Sequence, residues 1–264
     1  MAFIRNFTWR VIALSFLILF GYSIYHFQIS QTSDLLTLEQ STRYGAIAAF
    51  AIGLIIPTKI LRIPSTLNHE IGHAIMASLL RNSIESIRVE IDTSGVTYTR
   101  GKPSRIHSGL RSIGGPLASA VLLLFTTLLI VENHADYWIL FTLLSTALIT
   151  ITTVRSFWGW VSAAIVTTVL FRALQLSLQI GSNVPDKLQF GIWFNSQWNI
   201  PILITAYSVG IGLAYSWRCR RPYSESQDEA KVGRALGMSP SVGGHLVLLL
   251  NLAITIFAFK IILA

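Results

Sequence analysis

Long apolar runs, separated by short polar stretches, make up most of the chain. Several of them reach the roughly 20 residues that carry a helix across a hydrocarbon core. The runs cover approximately residues 9–29, 44–63, 110–131, 137–154, 158–178, 200–217 and 244–263. This pattern predicts an all-α polytopic membrane protein with about six to seven transmembrane helices. We expect one integral membrane domain over residues 1–264, with N-terminal helices in 1–63 and C-terminal helices in 200–264.

The polar stretch at residues 81–111 contains short segments in which apolar and polar residues alternate. Residues 84–91 and 96–98 alternate apolar with polar side chains around the sequence Asp-Thr-Ser-Gly at 92–95. Alternation of period two is typical of strands, and Asp and Gly are typical of the turn between two strands. The sequence therefore predicts a small β-hairpin between membrane helices.

Composition and charge agree with a membrane protein and argue against a nucleic-acid-binding one. Charged residues make up only 12% of the chain and hydrophobic residues 52%, although the formal net charge is +8. The basic residues lie at the ends of apolar runs, where the positive-inside rule places them. That rule assigns residues 81–111, Arg155 and residues 218–234 to the cytoplasmic side. The single cysteine, Cys219, excludes an intrachain disulfide.

The short segment at residues 65–80 carries the sequence His69-Glu70-Ile71-Gly72-His73. Residues four apart lie on one face of a helix, so the two histidines can bind one Zn²⁺ while leaving a position open for water. Glu70 lies beside them and can take a proton from that water as it attacks a peptide carbonyl. Sixteen residues rise only about 24 Å, so we expect a short, half-buried helix that enters from the cytoplasmic side.

Polar residues near a membrane interface are the ordinary alternative explanation of this segment. Ionisable residues in membrane-facing helices are costly, however, and mark functional sites. We therefore interpret His69 and His73 as zinc ligands and Glu70 as the catalytic base.

The stretch from Asn68 to Ala74, with its HExxH sequence, resembles the site-2 protease family of intramembrane zinc metalloproteases, especially its compact bacterial branch. A small β-structure after the HExxH helix and a following helix that begins Gly114-Gly115-Pro116 are similar to features of that family. The resemblance covers residues 65–190 and implies a metallopeptidase-like core there. Gly115 and Ser119, at small-xxx-small spacing, also favour close helix packing.

The resemblance further implies a zinc-dependent endopeptidase that hydrolyses membrane-embedded or membrane-proximal protein segments. Its partners would be a membrane protein substrate and the lipid bilayer, with no nucleic acid, and it would be a multi-pass protein of a bacterial plasma membrane. The sequence itself specifies no particular substrate and no oligomeric state.

In this family the third metal ligand is an aspartate late in the chain. The sequence Asn183-Val184-Pro185-Asp186 makes Asp186 our choice, although the predicted topology places that loop on the outer side. Asp136 is the main rival. The remaining aspartates look like parts of loops or of the hairpin turn: Asp34, Asp92 and Asp228.

Two other functions are compatible with these residues. One is a metal-binding membrane protein, such as a transporter or sensor, without proteolytic activity. The other is a membrane scaffold in which the HExxH sequence is incidental. Measurements of bound metal and of metal-dependent peptide cleavage distinguish these two functions from the peptidase.

Overall fold

The computed structural model describes residues 2–29, 38, 40–55, 59–90, 94–101, 104–132, 135–177, 199–218 and 228–264. Within these ranges the chain forms nine helices and a two-stranded antiparallel sheet. In chain order the elements are α1 (Ala2–Ile29), α2 (Gln40–Ile55), α3 (Lys59–Leu79), β1 (Ser83–Val89), β2 (Gly95–Arg100), α4 (Arg105–Val131), α5 (Ala135–Thr153), α6 (Phe157–Ser177), α7 (Asn199–Arg218), α8 (Asp228–Ala235) and α9 (Pro240–Leu263).

Three of the described helices are long and apolar enough to cross a membrane: Phe3–Phe27, Arg105–Val131 and Pro240–Leu263. Three further apolar helices are shorter, at Ile139–Thr153, Phe157–Thr168 and Pro201–Ala214. Large apolar side chains of α1 and α9, such as Ile18 and Leu249, are exposed on the outside of the bundle, where a lipid environment would cover them. The predicted all-α membrane class with a small hairpin is confirmed, whereas the count of six to seven spans stays a prediction.

Helix α3 carries the HExxH sequence and is longer than the sequence suggests. It begins at Lys59 and has 21 residues, so residues 59–63 belong to it and not to the preceding apolar run. Pro64 does not end the helix. It is the sixth residue of α3, so its missing N–H removes a single hydrogen bond near the helix start.

Helix α4 is the centre of the bundle and contacts α3, α7, α8 and α9. It crosses α3 at two glycines, Gly72 and Gly114. A Cβ atom on Gly72 would lie 2.3 Å from the carbonyl oxygen of Gly114, so neither position has room for a side chain. The crossing therefore brings the HExxH helix into direct backbone contact with α4.

The hairpin packs against α3 through both strands, and its first strand supplies the buried apolar side chains. Ile84, Ile87 and Val89 are fully buried in a cluster with apolar residues of α1, α3, α5 and α6. Strict alternation would place Ile84 and Ile87 on opposite faces of the strand. A register shift between Ile84 and Ser86 turns both residues towards the core, as a β-bulge does.

Candidate metal centre

The two histidines of the HExxH sequence lie side by side on α3, as their spacing predicts. Their Nε2 atoms are 3.1 Å apart, and the two rings are nearly perpendicular, at 87°. The His73 side chain is largely buried, with 10% of its surface exposed, while that of His69 is 35% exposed. The Nε2 atoms of the two rings therefore face the same point in space. That point is accessible to solvent on the side of His69.

Asp228, the first residue of α8, supplies the third group at this position. Its Oδ2 atom lies 2.9 Å from His73 Nε2 and 3.3 Å from His69 Nε2. The expectation that Asp228 is a loop residue is wrong. It begins a helix, a position that aspartate favours because its carboxylate complements the helix dipole.

The sequence does contain one signal for Asp228. The positive-inside rule assigns residues 218–234 to the same side as the HExxH segment, whereas it puts Asp186 on the opposite side. The predicted side of the membrane is therefore a sequence feature that favours Asp228, whereas the Asn-x-Pro-Asp resemblance favours Asp186.

The three donor atoms suit a zinc ion. Four ligands placed tetrahedrally at about 2.0–2.1 Å from zinc are separated from one another by about 3.3 Å. The three separations here are 2.9, 3.1 and 3.3 Å. Two imidazoles and one carboxylate are also a ligand set that zinc prefers, and three protein ligands leave the fourth position free. Within the described part of the chain, this is the group of residues that could hold a metal.

The second carboxylate oxygen of Asp228 is held by Lys231, one turn along α8. The Lys231 Nζ atom lies 3.1 Å from Oδ1, which leaves Oδ2 facing the two histidines. Burial by itself opposes ionisation of Asp228, but hydrogen bonds and electrostatic attraction from the two imidazoles, when these carry a proton on Nε2, outweigh it. Together they hold the pKa of this carboxyl well below its ordinary value, so Asp228 is an anion.

Helix α4 fixes the orientation of His73. The Nδ1 atom lies 2.8 Å from the carbonyl oxygen of Arg111. Because a carbonyl can only accept, Nδ1 carries the ring proton and the lone pair of neutral His73 is on Nε2. A backbone partner on the outer nitrogen is the usual support of a metal-binding histidine.

Gly115 of α4 lies directly over the Nε2 atoms of the two histidines. A Cβ atom at this position would lie 2.3 Å from His73 Nε2 and 2.6 Å from His69 Nε2. One helical turn further on, Ser119 accepts a hydrogen bond of 3.1 Å from the side chain of Asn68. Gly115 and Ser119 thus both contact α3, and the first of them makes space for the imidazoles.

The carboxylate of Glu70 lies under the hairpin. The residue is only 4% exposed, and its Oε2 atom accepts a hydrogen bond of 2.7 Å from the hydroxyl of Thr97 on β2. Glu70 is next to His69 on α3 and is not among the three converging groups. This arrangement suits a base that acts beside a metal without binding it.

Of the two aspartates preferred from the sequence, only Asp136 lies within the residues that the structure describes. Asp186 lies outside the residues that the structure describes. Asp136 is the second residue of α5. That helix follows the far end of α4, since residues 115–131 carry the chain about 24 Å away from Gly115. The role predicted for Asp186 stays a prediction.

An apolar cavity of about 350 Å³ adjoins the HExxH helix. It lies between α1, α3, α4, α5, α6 and α7, and Asn68 and Gly72 are the parts of its wall that are nearest in sequence to the histidines. The cavity thus offers an apolar space against the face of α3 that carries Asn68 and Gly72.

A family model described as Peptidase M50B-like matches residues 43–258, which include α3, the hairpin, α4 and α8. Comparisons with curated proteins and with solved structures give no match.

Proposed function

Because the chain belongs to the Peptidase M50B-like family of site-2 proteases, we propose that it is a zinc-dependent endopeptidase acting on membrane-embedded or membrane-proximal protein segments. The observation that carries the proposal is the convergence of His69 Nε2, His73 Nε2 and Asp228 Oδ2 within 3.3 Å of one another. The buried carboxylate of Glu70 lies on the same helix as the two histidines.

In this proposal His69, His73 and Asp228 hold the zinc. Lys231 keeps the free oxygen of Asp228 turned away from it, and the Arg111 carbonyl keeps His73 Nε2 turned towards it. When bound, zinc supplies a Lewis acid that makes water a nucleophile near neutral pH.

Glu70 is the proposed general base. It accepts a proton from the attacking water and then donates it to the amine that leaves when the peptide C–N bond breaks. His69 is the more exposed of the two histidines, so the peptide reaches the site from that side. The bundle covers the other side, where His73 is largely buried, and the hairpin covers Glu70.

The surroundings of the site support an apolar substrate that enters near the cytoplasmic face. The three segments that the positive-inside rule assigns to this face come together around the site. The Arg155 N–H donates to the Ile87 carbonyl, and the Arg105 side chain donates to the Arg234 carbonyl. We therefore infer a site near the cytoplasmic side of a bacterial plasma membrane. The apolar cavity beside Gly72 accommodates apolar side chains, and an unwound segment can pair with an edge of the hairpin.

The first experiment tests catalysis. The purified full chain is reconstituted into vesicles with a library of single-span apolar peptides, and cleavage sites are mapped by mass spectrometry. We expect Glu70→Gln to lower kcat by about 10²- to 10⁴-fold, as loss of a general base does, with zinc content unchanged. Glu85→Gln is the matched control, because Glu85 pairs with Arg100 on the exposed part of the hairpin.

Each outcome discriminates between functions. Full activity of Glu70→Gln would refute its role as the base. Stoichiometric zinc in a wild-type chain that cleaves no peptide would favour the metal-binding transporter or sensor. A chain that holds no metal at all would exclude the peptidase and the metal-binding transporter or sensor, and the membrane scaffold would be the remaining function.

The second experiment tests the third ligand. Zinc affinity is measured for Asp228→Ala, Asp186→Ala and Asp136→Ala. We expect Asp228→Ala to weaken zinc binding by more than about 100-fold, since even the outer partners of metal ligands contribute about 10- to 100-fold. A loss of zinc in Asp186→Ala, with wild-type affinity in Asp228→Ala, would restore the choice made from the sequence.

A further inference from the structure

We propose that Thr97, on the second strand of the hairpin, is a positioning residue for Glu70. Its hydroxyl holds the carboxylate in the orientation that the base needs. The proposal rests on the proposed peptidase function. It assigns to the hairpin a direct part in forming the active site, in addition to any part in holding substrate.

The first observation is the hydrogen bonding of the Thr97 hydroxyl. Its Oγ1 atom lies 2.7 Å from Glu70 Oε2 and 2.9 Å from the Glu70 carbonyl oxygen. A hydroxyl has one proton and can donate a full hydrogen bond to only one of these two acceptors. The carboxylate is the stronger acceptor because it is charged, and it is also the nearer one. The carbonyl belongs to α3 and has the N–H four residues on as its ordinary partner.

The second observation concerns the other carboxylate oxygen. A Cβ atom on Gly95 would lie 2.6 Å from Glu70 Oε1. Gly95 begins β2 and pairs with Val89 of β1, whose side chain is fully buried, so the strand is fixed in this place. Strand β2 therefore contacts both oxygens of Glu70, with the backbone of Gly95 on Oε1 and a hydrogen-bond donor on Oε2.

These contacts limit the conformations available to a long side chain. Glutamate has three rotatable side-chain bonds, and a freely rotating carboxylate would spend much of its time turned away from the attacking water. Glu70 is 4% exposed, so no water layer separates it from the strand. A displacement of about 1 Å from the productive geometry can lower a rate by about 10²-fold. Loss of the Thr97 hydroxyl should therefore reduce the chemical step more than substrate binding.

The test is a set of substitutions on the full chain in the vesicle assay. Thr97→Val keeps the shape of the side chain and removes the donor, and we expect kcat to fall about 10- to 100-fold with KM changed less than about threefold. Zinc content should equal that of the wild type, because Thr97 contacts none of the three proposed ligands. Thr97→Ser restores a hydroxyl, and we expect it to recover kcat to within about threefold of the wild type.

Thr99→Val is the matched control. Thr99 lies on the same strand, two residues further on, and its hydroxyl accepts a hydrogen bond from the Arg111 side chain instead of contacting Glu70. This variant removes a different bond that anchors the hairpin. An equal fall of kcat in Thr99→Val and Thr97→Val would show that hairpin docking matters and that Thr97 has no special role, which overturns the proposal.

The remaining outcomes separate this proposal from the proposed function. Cleavage by the wild type with an unchanged kcat in Thr97→Val would overturn the role of Thr97 alone. A fall in kcat that Thr97→Ser does not recover would do the same, because it would assign the effect to packing of the methyl group. Absence of cleavage by the wild type would overturn both.

Discussion

A methyl group at Gly115 should prevent the proposed binding of zinc by His69 and His73. In Gly115→Ala the added Cβ would lie 2.3 Å from His73 Nε2 and 2.6 Å from His69 Nε2. Non-bonded heavy atoms rest about 3.5–4.0 Å apart, so each imidazole must retreat by about 1 Å or more. Retreat of His73 is obstructed, since its other ring nitrogen is held against the Arg111 carbonyl at 2.8 Å.

The expected loss of affinity follows from that displacement. Metal–ligand distances are tolerated within about 0.2 Å, so a shift of about 1 Å takes at least one histidine out of coordination. Outer partners of a ligand contribute about 10- to 100-fold in affinity, and a lost ligand costs more. We therefore expect zinc to bind at least about 100-fold more weakly, a change of at least about 2.7 kcal/mol. Alanine favours helix over glycine by about 0.5–1 kcal/mol, so α4 itself should persist.

The assay is a zinc titration of the purified full chain in detergent against a chromophoric chelator. Gly212→Ala is the matched control, because Gly212 lies in helix α7 and a Cβ there meets nothing within 4 Å. We expect wild-type affinity in the control and loss only in Gly115→Ala. Stoichiometric zinc at wild-type affinity in Gly115→Ala would refute the placement of the two nitrogens against this glycine.

The remaining predictions concern the support of the site. Lys231→Met should weaken zinc binding about tenfold, because Asp228 loses the partner that orients it. Chelator competition measures this, and an unchanged or tighter affinity would count against the role. Gly72→Ala should lower the free energy of unfolding by about 1–3 kcal/mol, since its Cβ would lie 2.3 Å from the Gly114 carbonyl. Thermal unfolding in detergent tests it, with Gly21→Ala as a control in open space; equal melting would contradict the close crossing. Removal of divalent metal by a chelator should abolish cleavage and added zinc should restore it, so cleavage that persists in chelator would exclude a metal-dependent reaction.

The elements that depend on local sequence could be predicted. The apolar runs predict the helices because about 20 consecutive apolar residues must be covered by lipid or protein. The alternation at residues 84–98 predicts the hairpin, although the bulge between Ile84 and Ser86 could not be foreseen. Helix α3 begins six residues before the predicted segment at 65–80, because Pro64 lies inside it and removes one backbone hydrogen bond without ending the helix.

The candidate site was predictable only in part. Helical spacing places His69 and His73 together whatever the rest of the chain does, and the four-residue interval is visible in the sequence. Asp228 is 155 residues from His73, and no local pattern links the two. The interpretation of Asp228 as a loop residue was wrong, because its place beside the histidines depends on the packing of α8 against α4 and not on the residues next to it in the chain.

The sequence by itself determined a helix with two histidines on one face and a glutamate beside them, since helix geometry relates residues a few positions apart. The tertiary structure alone decided what surrounds that face. Packing of α8 brings Asp228 to the histidines, close crossing of α4 places Gly115 over them, and docking of the hairpin brings Thr97 to Glu70. Such contacts arise from the burial of apolar surface by the whole bundle, a non-directional force that leaves no short-range signature in the chain.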